Sequence, residues 1–288
     1  MMKIKLFDIK LNSLTKSEFI HELERCNLKK TPSLITTVNV EFINTAIINN
    51  DFFEVLNKHA SLNIIDGGGV IWAYKTLSSW KPRNKYISYF YVPIHWLVSL
   101  VVFPISFQYF KKSLSKLSGS DIVWDICRYA ALNKKRVFLL GYKKGLDPNV
   151  VQKTSLKLQT DIPDLKIVGT LSATDSPAEE KKVTEIIKKS SSDILLCGFG
   201  SPGQELWLKR NLLKSGCKIG IGLGGTFDFV AGVQKRAPVW IQKIGFEWFY
   251  RLLKNPRRIK RQSALIKVAF LVLKNRFIAT KYAPTIDK

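Results

Sequence analysis

The sequence predicts an α/β fold in which a parallel β-sheet is covered by helices on both faces. Short apolar segments recur along the chain, and several of them end at a glycine that precedes a helical stretch. Parallel strands are buried on both faces and therefore read as continuous apolar runs, with helical connections between them. In sheets of this class ligands bind beyond the carboxyl ends of the strands, so the glycine turns mark the expected site.

The first predicted strands and helices lie in the first quarter of the chain. Residues 34–38 form a strand that leads into a helix over 41–46. Residues 62–65 form another strand, which is followed by Asp66, three glycines and a helix through Trp72. This alternation of strand and helix is typical of a parallel sheet.

An uncharged segment at 86–110 interrupts this pattern. It holds no Asp, Glu, Lys or Arg, and lysines border it at both ends. A membrane-spanning helix needs about 20 apolar residues, so the length suffices. Pro93, His95 and Pro104 nevertheless favour a re-entrant or interfacial hairpin over a single span. The alternative is a hairpin buried in the core. We expect membrane contact, because a water-soluble α/β domain rarely needs so long an uncharged run.

Four further strands are predicted in the second half of the chain. Each is an apolar run that we expect to end at a glycine turn: 136–140 before Gly141, 165–168 before Gly169, 193–197 before Gly198, and 218–221 before Gly222. Together with the earlier strands they complete a Rossmann-like parallel sheet.

The C-terminal segment differs in composition from the sheet-forming part. Residues 251–281 contain ten Lys or Arg and no Asp or Glu, with long apolar runs between the basic residues. This mixture predicts a helix that lies on an anionic membrane with its lysines reaching the headgroups. The alternative is a packed helix with a solvated basic face. The predicted organisation is an α/β core at 1–244, with the insertion at 86–110, and a basic helical membrane appendage at 245–288.

Composition narrows the classes of partner and the compartment. The 288 residues include 46 Lys and Arg against 22 Asp and Glu, a formal net charge of +24, which favours a polyanionic partner. The mixture of basic and apolar residues suits an anionic membrane better than nucleic acid, and no helix-turn-helix, RNP or zinc-finger pattern occurs. The scattered cysteines and histidines argue against a disulfide framework and a metal centre. The N-terminus lacks the apolar core of a signal peptide, so we expect a cytoplasmic protein.

Asp66 is the candidate catalytic residue. It directly follows the strand 62–65 and precedes three glycines, which let a substrate approach the backbone closely. A carboxylate at that edge can accept a proton from an attacking hydroxyl. From the spacing alone, an aspartate that caps the next helix is an equally good interpretation.

Thr36, Thr37 and Asn39 end the preceding predicted strand. Asn39 is a candidate cap for the following helix, whose backbone N–H groups can receive an anion. A cap with no further role is the more frequent outcome, so this motif by itself predicts little.

The loop at 198–207 is a more specific signal. It reads GFGSPGQELW, in which Ser201 is a good N-cap, Pro202 suits the first helical position and Gln204 stands where a capping box places it. Its glycines leave a helix N-terminus open, as at phosphate and pyrophosphate sites.

The glycine-rich block at 220–229 does not predict a nicotinamide site. Its glycines are spaced GIGLGG rather than GxGxxG, and they lie late in the chain. Asp228 in this block is either a substrate ligand or a helix cap. The sequence has no DxD triplet to hold a metal–diphosphate complex, so helix N-termini and basic side chains would have to meet the charge of a diphosphate leaving group.

Six blocks of the sequence resemble the successive signature blocks of the WecG/TagA/CpsF glycosyltransferases. They occur in that family's order between Thr36 and Arg261, and they read TTVNVEF, DGGGVIWA, SGSD, GFGSPGQELW, GGTFDFVAGVQKRAP and GFEWFYRLLKNPRRIKR. Each block alone is modest, but the series is highly specific.

The resemblance implies an inverting, metal-independent enzyme without a cofactor. It would move a sugar from a UDP-sugar to a polyprenyl-diphosphate-linked saccharide at the cytoplasmic face of the membrane, in cell-surface polysaccharide synthesis. N-acetylmannosamine, glucose and glucuronic acid stay open as donor sugars. Asp66 matches the family's general base. The predicted substrate-binding residues, from the resemblance and the loops above, are Thr37, Asn39, Lys116, Gly198, Gln204, Glu205, Gly224, Asp228, Arg251, Arg257, Arg258 and Arg261.

Two departures from the family pattern matter. Lys116 stands where members usually carry an arginine, and lysine keeps the charge but loses the bidentate fork. The segment 86–110 stands where members usually have a short connection, and it predicts an added membrane anchor or lipid-gripping hairpin.

Two other functions stay open from the residues alone. One is a non-enzymatic, membrane-bound accessory protein that holds a lipid-linked saccharide for another enzyme. The other is a nucleic-acid-binding module that uses the positive charge. Pairing with a second copy of the chain also stays open.

Overall fold

The structure is a computed structural model that describes residues 1–110, 114–141, 147, 149–173, 176–243, 247–254, 259–277 and 285–287. Within those ranges, the structure describes only the backbone of residues 103–110, 240, 243, 248, 251, 259–262 and 285–287.

The described strands form one nine-stranded sheet in the order β6-β5-β7-β8-β3-β4-β2-β1-β9. The strands are β1 (Met2–Leu6), β2 (Ile9–Ser13), β3 (Ser33–Val38), β4 (Ala60–Ile65), β5 (Arg136–Leu140), β6 (Lys166–Leu171), β7 (Ile194–Cys197), β8 (Ile219–Gly222) and β9 (Thr285–Asp287). The seven strands from β6 to β2 pair in parallel, which confirms the predicted sheet.

One edge of the sheet departs from the prediction, because β1 pairs antiparallel with both β2 and β9. A two-residue turn at Phe7 and Asp8, both with positive φ, joins β1 to β2. Such turns usually carry glycine or asparagine, so this hairpin has no strong signal in the sequence.

The helices are α1 (Lys16–Leu28), α2 (Val40–Ile48), α3 (Asn50–Glu54), α4 (Gly68–Ser78), α5 (Lys85–Phe110), α6 (Gly119–Leu132), α7 (Val150–Asp161), α8 (Pro177–Lys189), α9 (Gly203–Ser215), α10 (Thr226–Val230), α11 (Val239–Lys243), α12 (Glu247–Lys254) and α13 (Ile259–Phe277). A π-helical turn, Val55–His59, follows α3.

Helices cover both faces of the sheet, as predicted. Successive strand residues point to opposite faces, so Ile35 joins a core with α1, α6, α7 and α10, whereas Leu34 joins one with α8 and α9. A third core lies under α2, α3, α4 and α13 and includes Val38 and Ile65. The strand ends are therefore enclosed by helices on two sides.

The predicted end of one strand is wrong. Gly169 lies inside β6 and not at a turn after it. The ring of Phe138 on the neighbouring β5 lies against Gly169, where a Cβ atom would clash. The glycine therefore serves strand packing rather than a turn.

The segment 86–110 is a single helix, α5, so both hairpin interpretations are wrong. Pro93 removes one backbone hydrogen bond without interrupting the helix. Within the part of the chain that the structure describes, none of the helices combines the length and the hydropathy that crossing a membrane requires.

Helix α13 has a packed side and an exposed side. Val268, Ala269 and Val272 are buried in the core with α2 and α4, whereas Ile266 and Phe270 face solvent. The division of the chain at 244/245 stays a prediction.

Candidate active site

The carboxyl ends of β7, β8, β3 and β4 lie side by side at one edge of the sheet. The chain leaves β3 toward α2 on one face and leaves β8 toward α10 on the other, since Phe42 and Phe227 belong to cores on opposite faces. This divergence opens a crevice at the strand ends, where open α/β sheets bind ligands. The nine predicted site residues that the structure describes in full lie at or next to this edge.

Thr37 and the start of α6 meet in the crevice. The buried Thr37 Oγ1 donates a hydrogen bond to Gly222 O at 3.3 Å. A Cβ atom on Gly119 would lie 3.1 Å from Thr226 Oγ1 and 3.7 Å from Thr37 Oγ1. Ser118, the N-cap residue of this 14-residue helix, makes no side-chain capping hydrogen bond. Its N-terminal N–H groups therefore face the ends of β3 and β8, where they favour an anion.

Asp66 lies at the end of β4 and is half-buried. Its N–H donates to Val38 O at 2.8 Å, which ties the ends of β3 and β4 together. Helix α4 has Gly67 as its N-cap residue, with φ +99°. Asp66 therefore does not occupy the N-cap position, and the interpretation that places it there is wrong.

Asn39, next to Asp66 across the strand ends, is the N-cap of α2. Its Oδ1 accepts from the N–H groups of Glu41 at 2.9 Å and Phe42 at 3.2 Å. The predicted cap is confirmed. Thr36 has a structural role, because its buried Oγ1 donates to Asn63 Oδ1 at 2.7 Å.

Lys116 lies in the segment that runs past β4 into α6. The neighbouring N–H of Leu117 donates to Ile65 O at 2.9 Å, and the Lys116 side chain is half-buried. A cationic residue therefore lies in the segment beside the strand end that carries Asp66.

Gln204 joins the two glycine-rich loops of the site. Its Oε1 accepts from Gly200 N at 3.1 Å and from Gly224 N at 2.9 Å. Gly200 lies in the loop that precedes α9, and Gly224 lies in the loop that follows β8. Helix α9 begins at Gly203 and its N-cap residue is Pro202, so the prediction of Ser201 as its cap is wrong.

The side chain of Glu205 holds that of Gln204 in place through a hydrogen bond. Gln204 Nε2 donates to Glu205 Oε1 at 2.5 Å, and Glu205 is fully buried. Burial raises the pKa of the Glu205 carboxyl to about 7. Both head groups pack on the backbone of Gly222, where a Cβ atom would lie 2.7 Å from Gln204 Nε2. The pair therefore shapes the loops from inside.

Gly198 and Asp228 complete the predicted set. A Cβ atom on Gly198 would lie 2.6 Å from Phe227 Cδ2, so the loop after β7 packs closely on α10. Asp228 lies inside α10, and Gln234 Nε2 donates to its Oδ2 at 3.4 Å. The N-cap of α10 is Gly225, so the interpretation of Asp228 as that cap is wrong.

Arg236, in the loop after α10, is a site residue that the sequence analysis missed. Its Nη1 donates to Asp121 Oδ1 in the first turn of α6 at 2.5 Å, and its Nη2 lies 3.9 Å from Glu247 Oε2 of α12. Burial lowers the pKa of Arg236, but Asp121, Glu247 and Asp66 outweigh it and raise the pKa above its ordinary value. Arg236 thus lies beside Asp121 and Glu247, and its positive charge also interacts electrostatically with Asp66.

The signal for Arg236 was the KRAP sequence inside a block already linked to the site. The four predicted arginines of the C-terminal segment lie outside the described residues or side chains: Arg251, Arg257, Arg258 and Arg261.

The chain is similar to known proteins over almost its whole length. A sequence profile described as "Glycosyl transferase WecG/TagA/CpsF family" matches residues 4–96 and 99–282. The chain is also similar to the N-acetylglucosaminyldiphosphoundecaprenol N-acetyl-beta-D-mannosaminyltransferase of Bacillus subtilis (strain 168). Their identity is 29% over 276 residues, which cover 94% of this chain and 91% of that protein. Every candidate site residue named above falls within the matched ranges.

Proposed function

The chain belongs to the WecG/TagA/CpsF family of glycosyltransferases, and from this premise we propose which molecules it joins. The donor is a UDP-sugar and the acceptor is a saccharide linked to a polyprenyl diphosphate. The reaction takes place at the cytoplasmic face of the membrane, in the synthesis of a cell-surface polysaccharide. The name of the Bacillus subtilis relative supports this acceptor class, because that protein acts on a diphosphoundecaprenol-linked sugar.

The position of Asp66 is the observation that carries the proposal. The carboxylate follows β4 at the ligand-binding edge of the sheet, beside the crevice between β3 and β8. The N-cap position of α4 belongs to Gly67, and Gly67 and Gly68 leave the adjacent backbone without side chains. A carboxylate in such a position is suited to accept a proton from an acceptor hydroxyl.

The proposed reaction is a single displacement. The Asp66 carboxylate takes the proton of the acceptor hydroxyl as that oxygen attacks the anomeric carbon of the donor. The bond between the anomeric carbon and the diphosphate oxygen breaks, and its electron pair leaves with UDP. Attack from the opposite face inverts the anomeric configuration.

The donor diphosphate is proposed to lie at the N-terminus of α6. Gly119 brings that terminus against Thr37 and Thr226, and its N–H groups favour a negative charge. Lys116 precedes the same helix and supplies a positive charge. These groups stabilise the charge that develops on the leaving UDP.

N-acetylmannosamine is the first donor sugar to test. The relative's name specifies a mannosaminyl transfer, while glucose and glucuronic acid are the alternatives that the family resemblance leaves open.

The test is the release of UDP from a panel of UDP-sugars, with and without a polyprenyl-diphosphate-linked acceptor. We expect acceptor-dependent release by the wild type, and Asp66→Asn should lower kcat by roughly a hundredfold or more. Asp161→Asn is the matched control, because Asp161 forms a surface ion pair with Lys157 on α7, away from the strand ends.

The outcomes separate the roles. Acceptor-dependent release that Asp66→Asn abolishes and Asp161→Asn retains supports the proposal. Retained turnover in Asp66→Asn with weaker acceptor binding would instead assign Asp66 to substrate binding. No release from any donor would contradict the proposed substrates.

A further inference from the structure

Helix α5 has one face that is fastened to the protein. Val92 is fully buried. Trp96 Nε1 donates to Ala269 O of α13 at 2.8 Å, and Trp72 Nε1 of α4 donates to Ser99 Oγ at 3.1 Å. These contacts fix the helix on two neighbours, so its opposite face is held pointing away from the core.

The outer face of α5 carries a continuous apolar stripe, here called the α5 stripe. Its members are Tyr86, Phe90, Ile94, Leu97 and Val101, which follow the three- and four-residue spacing of one helix face. Each is at least 56% exposed. Soluble monomers rarely expose a contiguous apolar surface of this extent, so the stripe indicates a partner.

Helix α13 widens the same apolar surface. The ring of Phe270 lies 5.7 Å from that of Trp96, and the ring of Phe277 lies 5.9 Å from that of Tyr89. Lys267 and Lys274 are exposed on the same side of α13. Long lysine side chains beside an apolar surface can bury their stems while their ammonium groups reach a polar layer.

The charge around this surface selects the kind of partner. No Asp or Glu occurs at 79–118 or at 248–286, and Arg83 and Lys85 are exposed at the start of α5. A second copy would bring the same cations to the interface, which costs electrostatic energy. An anionic bilayer instead offers an apolar interior together with opposite charge at its surface.

The buried Arg276 side chain links α13 to the connection between α4 and α5. Arg276 of α13 donates to Thr76 O and Ser79 Oγ and, at 3.2 Å, to Trp80 O, while Lys81 Nζ donates to Arg276 O at 3.0 Å. The connection between α4 and α5 is thereby tied to α13. The two helices that present apolar side chains are held as one surface.

We infer that the α5 stripe, extended by α13, is the surface by which this chain docks on an anionic bilayer. The apolar side chains enter the acyl region, and the lysines of α13 contact the lipid headgroups. The inference rests on the proposed function, because the proposed acceptor is held in the bilayer by its lipid.

The test is co-sedimentation of the full chain with vesicles of phosphatidylcholine, either alone or with about 30% phosphatidylglycerol, which gives the vesicles a negative surface charge. Phe90→Glu/Leu97→Glu should lower the partition coefficient onto the anionic vesicles by at least about tenfold. Leu156→Glu on α7 is the matched control, since Leu156 is 67% exposed and lies on a helix of the opposite sheet face.

Three outcomes decide the inference. Loss of binding in the double variant alone supports it. Binding by the double variant equal to that of the wild type overturns it. A wild-type dimer that the double variant dissociates, with vesicle binding unchanged, also overturns it and assigns the stripe to a second copy.

A parallel assay keeps the two proposals distinct. UDP release is measured in the same samples with a short-chain, water-soluble acceptor that needs no bilayer. The double variant should retain at least about half of the wild-type release, since surface substitutions away from a site change folding stability little. Absence of release by the wild type would contradict the proposed substrates without affecting the vesicle result.

Discussion

The side chain of Glu205 places a carboxyl group inside the protein, away from solvent. It is fully buried behind the two glycine-rich loops, and its Oε1 accepts a hydrogen bond from the Gln204 amide. Burial therefore favours the protonated acid and raises its pKa from 4.5 to about 7. Near neutral pH, folding holds a proton there that the unfolded chain releases.

Replacing Glu205 by Gln tests this directly. With a folded pKa above the unfolded value, the stabilisation is complete below about pH 4.5 and is lost as pH rises through about 7. From pH 5 to pH 8, the free energy of unfolding of the wild type should fall relative to that of Glu205→Gln by about 2–3 kcal/mol. Urea unfolding at several pH values measures it. A difference that does not vary with pH would mean that the folded carboxyl titrates normally.

Arg236 gives a second prediction at the residue scale. Arg236→Gln would leave Asp66, Asp121 and Glu247 without their shared cation, so the ionised form of Asp66 and the start of α6 are both stabilised less. We expect kcat to fall by at least about tenfold with a smaller change in donor KM, and Arg236→Lys to restore part of the loss. Steady-state UDP release measures both constants.

Two controls complete this experiment. Adding Arg236→Gln to Asp66→Asn should cost little further activity, because both changes act on the same step. Unchanged kcat in Arg236→Gln would show that the cation serves the fold alone.

The residue types at the site divide into those that local sequence can predict and those that it cannot. Asp66 and Asn39 follow directly after apolar strands, so their place at the sheet edge could be predicted from the pattern. The contact of Arg236 with Asp121 joins residues 115 positions apart, and only the packing of α10 beside α6 brings them together. Likewise, the Glu205 carboxyl of α9 packs closely on Gly222 of β8, a residue 17 positions further along the chain.

At the scale of elements, the end of β8 is the tightest junction of the site. Gly222 ends the strand, and the head groups of Gln204 and Glu205 occupy the space where its side chain would be. Gly222→Ala should therefore displace the buried pair and lower the free energy of unfolding by about 1–3 kcal/mol. Urea denaturation measures this.

The matched control for that substitution is Gly225→Ala, three residues further along. Gly225 has φ −75°, and a Cβ atom there would lie 3.6 Å from Asp228 Oδ2, an ordinary contact. It should change stability by less than about 0.5 kcal/mol. Equal losses in the two variants would mean that neither the pair nor its close packing is responsible.

Helix α5 illustrates why an element can be located from sequence while its form is missed. The uncharged run defined its extent to within one residue at the start. Its prolines favour a turn, yet the helix continues past Pro93. Pro93 removes a backbone hydrogen bond and its ring crowds the preceding turn, and the contacts of Trp96 and Ser99 with α13 and α4 help to keep the segment helical. Those contacts come from distant segments that a local pattern does not contain.

At the scale of the whole molecule, the parallel sheet was predictable because each buried strand is a short apolar run of its own. The order of the strands was not, since β3 lies between β8 and β4, and β8 comes from the far end of the chain. The crevice between β3 and β8 exists only because of that order. The antiparallel edge was missed because the turn at Phe7 and Asp8 contains no glycine.

Helix α4 connects the proposed reaction centre at Asp66 with helix α5, the proposed membrane-docking helix. It starts beside Asp66, its 11 residues span about 16 Å, and its side chains Trp72 and Thr76 meet Ser99 of α5. A chain docked through α5 would thus hold its reaction centre at a set height above the lipid surface. The search for acceptor would become two-dimensional, and the rate would follow the number of acceptors per unit of bilayer area rather than their concentration in bulk solution.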